Sequence, residues 1–223
     1  MAKFLFYEWK KLRKSAITGE LLFYWILLFL LPSFFVLFQT KGNAFHFSEA
    51  FLYADLSVRV AMPLLAVTWI HRIFTDEYRT RTILSLYVSP FSRKKMAAIK
   101  VIFLFLLLFP AVFLSYMISM AGIFAIGEGF QTWGDIARPD WLFYMKYFFL
   151  HSPVIALCSL IPVLAILFRP SSRLFTGSLA AFVLFLLYLD SFFEYGESGL
   201  YMAPIGLLST AVVILTIDRW NQL

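Results

Sequence analysis

One cysteine, three histidines and 14% charged residues are all that the 223 positions hold of the side chains that usually carry chemistry. The single thiol, Cys158, excludes an internal disulfide and a cysteine-rich metal site. His46, His71 and His151 fall in different segments without metal-ligand spacing, so no metal is expected. The chain lacks a G-x-x-x-x-G-K-[ST] loop to bind ATP, and Gly177-Ser178 lacks the surroundings of an intramembrane serine protease. No catalytic, cofactor-binding or metal-binding residues are expected, and the chain does not read as an enzyme. Internal repeats, low-complexity runs and linkers are missing as well. There is no separate polar domain to turn the net charge of +6 into a nucleic-acid surface.

What is present is apolar. The sequence is 61% hydrophobic and 20% aromatic, more than a soluble domain of this length can bury. A helix needs about 20 apolar residues to cross a bilayer, and six stretches approach that: 21–38, 55–74, 98–126, 141–168, 174–193 and 199–217. The first follows a basic segment as a signal peptide would, yet its apolar core is too long and no small-x-small site precedes TKGN, so it reads as an uncleaved span.

Lys and Arg concentrate in the N-terminal segment, in 72–100 and at Arg169 and Arg173, whereas the alternate connections gather Glu49, Glu128, Asp135, Asp140, Glu194 and Glu197. With six spans the two sets fall on opposite sides, and the positive-inside rule then predicts both termini and residues 76–95 in the cytoplasm. The predicted fold is an all-α integral membrane protein with six transmembrane helices. The plasma membrane is the expected location. Basic residues are explained by topology and membrane lipid, so no nucleic-acid partner is expected.

Phe4, Leu5, Trp9, Leu12 and Ala16 fall near one helical face with Lys3, Lys10 and Lys14 largely opposite. This pattern predicts an interfacial amphipathic helix over 1–20, ended by a break at Gly19-Glu20 before a six-span membrane domain over 21–223. Pro32, Pro63, Pro110, Pro153 and Pro162 fall inside spans, where each removes a backbone donor. Residues 190–206 combine carboxylates with Gly and Pro, a composition open to a re-entrant segment or an ordinary loop. The 27 phenylalanines suit a lipid-facing surface, or a route for an amphipathic substrate. Intramembrane charge points to a pathway by default. Its candidates are Asp55 and Arg59, four apart on one helical face and able to neutralise each other, which also suits a structural pair.

The densest signal is DEYRTRTILSLYVSPFSRKK, residues 76–95. Thr75 or Asp76 can cap a helix whose first turn holds Asp76 and Glu77, and Ser89-Pro90 stops it. Ile83, Leu84, Leu86, Tyr87 and Val88 give it an apolar surface. A short amphipathic helix over about 76–89 is predicted at the cytoplasmic surface.

The run E-x-x-x-x-T-x-x-x-L-x-x-x-P-x-S-R, formed by Glu77, Thr82, Leu86, Pro90, Ser92 and Arg93, with Lys100 seven beyond the arginine, resembles the segment after the second span in permeases of the type-two ABC exporter superfamily. That class includes small bacitracin- and lantibiotic-immunity permeases. Arg81 and Ile99 stand where the family often has glycine.

The resemblance implies that 76–89 is a coupling helix docking on a separate ATPase subunit, with Glu77 as the charged contact and Arg79, Arg81, Thr82, Leu86, Pro90, Ser92 and Arg93 around it. It implies two ATPase subunits, which bind ATP and Mg, and a second permease chain, identical or homologous. An amphipathic peptide, antimicrobial or cytolytic, is the expected cargo. Two rivals are a non-transporting membrane scaffold or sensor and an ion-coupled transporter using Asp55.

Overall fold

The computed structural model describes residues 6, 9–10, 14–39, 47–75, 93–129, 141–163, 177, 204, 207–212 and 214–215. Among the described residues there are long helices and no strand. Helix α1 is Lys14–Gln39 and α2 is Phe47–Ile70, continued by a π-helical turn at His71–Thr75. Helix α3 is Arg93–Gly129, and α4, Trp141–Cys158, leads into a 3-10 turn at Ile161–Val163.

Four segments are long and apolar enough to cross a membrane: Ser15–Phe35, Phe51–Phe74, Lys95–Ala125 and Met145–Val163. They overlie the first four predicted stretches. The fifth stretch, 174–193, lies outside the described residues except for Gly177; of the sixth, residues 207–212 are helical with Ser209 and Thr210 buried. The expected coupling helix over 76–89 and the 190–206 connection, apart from Pro204, also lie outside the described residues.

Two local expectations are corrected. Helix α1 runs unbroken through Gly19 and Glu20, where a break is expected from composition. Space around the Gly19 Cα is open, so no close approach demands the glycine. Glu20 is instead held by Arg72 and Thr68 of the neighbouring helix, and a single glycine costs a helix only about 1 kcal/mol. The 141–168 stretch does not stay α-helical across Pro162. The helix ends at Cys158, and the backbone tightens through Leu160 N donating to Leu157 O (3.0 Å) and Val163 N to Leu160 O (2.9 Å). The proline ring lacks the donor that an α-turn would need there. Pro32, Pro63, Pro110 and Pro153 do lie inside helices, as predicted. Thr75, one of two candidate caps, is the last residue of the π-turn.

Helix α3 touches each of the other three long helices. Against α2 it runs antiparallel: Tyr116 meets Asp55 and Lys100 meets Ile73. Against α1 it runs parallel, with Trp25 Nε1 donating to Ser115 Oγ at 3.2 Å. Further along, Gly122 lies against Phe29 and Ser33. A Cβ on Gly122 would stand 2.5 Å from the Phe29 carbonyl oxygen, so this crossing requires glycine. Small residues let membrane helices approach closely where apolar side chains gain nothing over lipid. Leu28, Leu65, Ile70, Leu104, Leu108 and Ile123 fill the interior.

Three of the buried serines are satisfied within their own helices. Ser33 Oγ donates to Phe29 O (2.6 Å), Ser115 Oγ to Ala111 O (2.7 Å) and Ser152 Oγ to Phe148 O (2.5 Å). This is the cheap solution where no water is available. The outer face of α1 is the reverse of a core: Leu22, Phe23, Ile26, Leu30, Phe34 and Phe38 are all more than half exposed. At spacings of three and four they form one apolar stripe, as lipid or a neighbouring helix requires.

Candidate functional site

Polar side chains gather at two levels of α2. The first is built on Asp55 and Arg59, one turn apart. Arg59 Nε lies 2.7 Å from Asp55 Oδ2, and Tyr116 of α3 donates its hydroxyl to Asp55 Oδ1 at 2.5 Å. Arg59 Nη2 makes a long hydrogen bond of 3.4 Å to Tyr147 Oη of α4. Asp55, Arg59 and His151 are 7–8% exposed, and Tyr116 is fully buried.

Aromatic rings enclose this group. Tyr116 stacks on Phe148 with centroids 4.8 Å apart, Phe51 meets Tyr147 edge-on at 4.8 Å, and Tyr147 stacks on His151 at 3.8 Å. Rings exclude water and lower the local dielectric, so a lone charge here would be costly while a matched pair is tolerable. Both carboxylate oxygens of Asp55 are engaged. As arranged, the cluster ties α2, α3 and α4 together and presents no vacant carboxylate oxygen.

The second level lies at the other end of α2. Arg72 forms an ion pair with Glu20 of α1, and Thr68 Oγ1 stands 3.5 Å from Glu20 Oε2 while donating to its own Leu65 O at 2.7 Å. One residue on from Arg72, the Ile73 carbonyl accepts a hydrogen bond of 3.0 Å from Lys100 Nζ of α3, whose ammonium also lies 5.5 Å above the Phe74 ring. Lys100 is only 7% exposed. A cation at the C-terminal carbonyls of a helix meets the negative end of its dipole. The π-turn occupies 71–75, so both contacts fall within it.

Seventeen residues separate Asp55 from Arg72, about 25 Å along a helix axis. Between Arg59 and Arg72 the helix carries no charge. Polar levels about 25 Å apart, with an uncharged stretch of about 20 Å between Arg59 and Arg72, suit a span of the roughly 30 Å hydrocarbon layer. An open groove of about 390 Å³ lies beside this stretch between α1 and α2, lined almost wholly by apolar side chains including Leu27, Leu31, Phe35, Leu56 and Leu64.

Comparison with known families decides the class. The model of the ABC-2 family transporter proteins matches residues 4–190. The chain belongs to the ABC-2 transporter family. The match runs through the N-terminal segment, the four described spans and the 76–95 segment. No curated protein and no solved structure matches the chain. Membrane domains of the ABC-2 type are transport subunits, generally not catalytic themselves and typically working with ABC ATPase partners. The chain is accordingly a multi-pass membrane protein of permease type.

Of the residues singled out in the sequence, Asp55 and Arg59 are brought together as foreseen. Arg93 is the first residue of α3. Glu77, Arg79, Arg81, Thr82, Leu86, Pro90 and Ser92 lie outside the described residues. Sequence reasoning missed Tyr116, Tyr147 and His151 as companions of the pair, because aromatic residues are everywhere in this chain. It also treated Glu20 as punctuation and Arg72 as a topology charge. An acid at the mouth of a basic N-terminal segment was the available signal.

Proposed function

We propose that the chain is the transmembrane permease subunit of an ATP-driven ABC exporter, with six spans, both termini in the cytoplasm and a place in the plasma membrane. Two copies of a separate ATPase bind ATP and Mg and dock on the 76–89 segment, with Glu77 as the charged contact. A second permease chain, identical or homologous, completes the pathway. The observation that carries this reading is the ABC-2 match across 4–190 in a chain that holds no phosphate-binding loop of its own. The E-x-x-x-x-T…P-x-S-R pattern at Glu77–Arg93 supports the place of coupling.

The cargo we propose is an amphipathic peptide of antimicrobial or cytolytic type. The apolar groove between α1 and α2 supports an apolar over a polar cargo. Asp55 and Arg59 act in this reading as a tether between helices rather than as an ion pathway, because both carboxylate oxygens of Asp55 are already engaged.

The test is purification of the tagged chain in mild detergent, wild type beside Glu77→Arg, with ATP hydrolysis measured in each. An ATPase accompanies the wild type, and in the variant it is lost or hydrolyses ATP without transport. If no nucleotide-binding partner accompanies the wild type under conditions that keep membrane complexes intact, the permease reading fails and a non-transporting scaffold takes its place.

A further inference from the structure

The π-turn at His71–Thr75 is the feature that neither the family nor the coupling segment explains. A π-turn holds one residue more than the α-helical path it replaces, and such turns recur at functional sites. The extra residue re-aims the downstream chain, by roughly 100° if the turn relaxes to α-helix, since that is the rotation of one α-helical residue. The downstream chain begins at residue 76, the first of the proposed coupling segment.

The turn is gripped from two sides. Arg72 within it is ion-paired to Glu20 of α1. The Ile73 carbonyl within it accepts the 3.0 Å hydrogen bond of Lys100, a buried ammonium of α3. Bringing a lysine ammonium into an apolar interior is expensive unless a specific contact offsets it, and here the contacts include a helix-end carbonyl and the face of Phe74. Structural capping alone would be served by any exposed lysine reaching the helix end. Arg72 and Ile73 are adjacent in sequence yet fasten to different helices, so motion entering the turn divides between two outputs.

We propose that His71–Thr75 is the transmission joint of the permease, delivering the stroke of the coupling segment to α1 through the Arg72–Glu20 ion pair and to α3 through the Lys100–Ile73 hydrogen bond. The proposal rests on the ATPase-coupled reading above. Glu20, Arg72 and Lys100 are positioning residues in it; none touches nucleotide or cargo.

The test separates the two outputs. In the complex purified with its ATPase and carrying Cys158→Ser, an environment-sensitive fluorophore is placed at Phe23→Cys on α1 or at Leu106→Cys on α3, both outward-facing positions. The response to ATP with vanadate is then recorded. In the parent both labels respond. Lys100→Met should reduce the α3 response by about tenfold, the factor expected from one charge-assisted hydrogen bond, and leave the α1 response in place. Glu20→Gln should do the opposite, and Lys100→Arg should preserve both.

The joint is overturned if the parent complex responds at neither label, if both labels respond equally in every variant, or if either variant silences both labels alike. A complex that lacks an ATPase in the wild type overturns instead the permease reading, so the two failures are distinguishable. Should Lys100→Met fail to assemble, the Glu20→Gln arm decides alone: retention of its α1 response overturns the proposal.

Discussion

Removing the Asp55 carboxylate gives the most informative perturbation of this molecule. Asp55→Asn keeps the shape and an acceptor for the Tyr116 hydroxyl, but takes away the charge that Arg59 meets at 2.7 Å. Arg59 is 8% exposed and reaches Tyr147, which packs on Phe51, so its guanidinium loses its facing carboxylate in a low-dielectric pocket. Breaking a buried pair in this way costs about 3–5 kcal/mol. The insertion cost of an arginine at a membrane helix centre, about 2.5–3.5 kcal/mol, gives a consistent figure. A loss of about 3 kcal/mol is therefore expected for the single variant.

Arg59→Met alone should cost somewhat less, because the Asp55 carboxylate keeps its Tyr116 hydrogen bond. The double variant Asp55→Asn/Arg59→Met carries no charge at either site and should fall within about 1 kcal/mol of wild type, giving a strongly non-additive cycle. Denaturant unfolding in detergent micelles, followed by helical circular dichroism, measures all three. Additive losses would refute the tether. Transport supplies a second check: a tether predicts that the double variant regains activity lost in the singles, whereas a charge pathway would leave it dead.

Other consequences are open to direct measurement. Gly122→Ala should destabilise the fold by about 2 kcal/mol or more, within the range for overpacked cores, since the new methyl must displace the Phe29 backbone; an unchanged unfolding midpoint would contradict the close α1–α3 crossing. Tyr116→Phe should cost about 1.5–3 kcal/mol through loss of a hydrogen bond to a charged acceptor, visible in the same unfolding assay. Ser119→Ala should be neutral or slightly stabilising, because its buried hydroxyl has no hydrogen-bond partner among the described residues; a loss above about 1 kcal/mol would show that the hydroxyl is used. Glu77→Arg is expected to separate ATP hydrolysis from transport without changing the amount of folded protein.

Much of the architecture was legible because a membrane imposes a simple grammar. Uninterrupted apolar runs located the four described spans to within a few residues at most ends, and the i,i+4 spacing of Asp55 and Arg59 correctly paired them. Where sequence patterns misled, a local rule was overruled by a contact from far along the chain. Glycine at position 19 suggests a break, but Glu20 beside it is claimed by Arg72, fifty-two residues away. Pro162 suggests a kinked helix, but with the α-helix ending four residues earlier the ring sits in a 3-10 turn. The π-turn has no sequence signature at all. HRIFT is an ordinary helical pentapeptide, and its unusual path becomes intelligible only when Lys100 is placed beneath the Ile73 carbonyl.

The two polar levels constrain how the molecule can move. Tyr116 and Lys100 lie on one helix, sixteen residues apart, or about 24 Å along its axis. Each fastens α3 to α2, the first through Asp55 and the second through Ile73. For α3 to slide along α2 by a turn, both contacts would have to break together, and the buried carboxylate would lose its tyrosine in a place without water to replace it. Rotation of α2 and α3 as one body breaks neither contact. Their common neighbour α1 meets α3 at Gly122, onto which Phe29 and Ser33 close, and through the Trp25–Ser115 hydrogen bond, and meets α2 through the Glu20–Arg72 pair near the opposite end. A pair fastened at two levels and packed closely on a third helix favours rocking over sliding. In a transporter driven from the 76–89 segment, the lever would then be the α2–α3 pair and its bearing the Gly122 crossing.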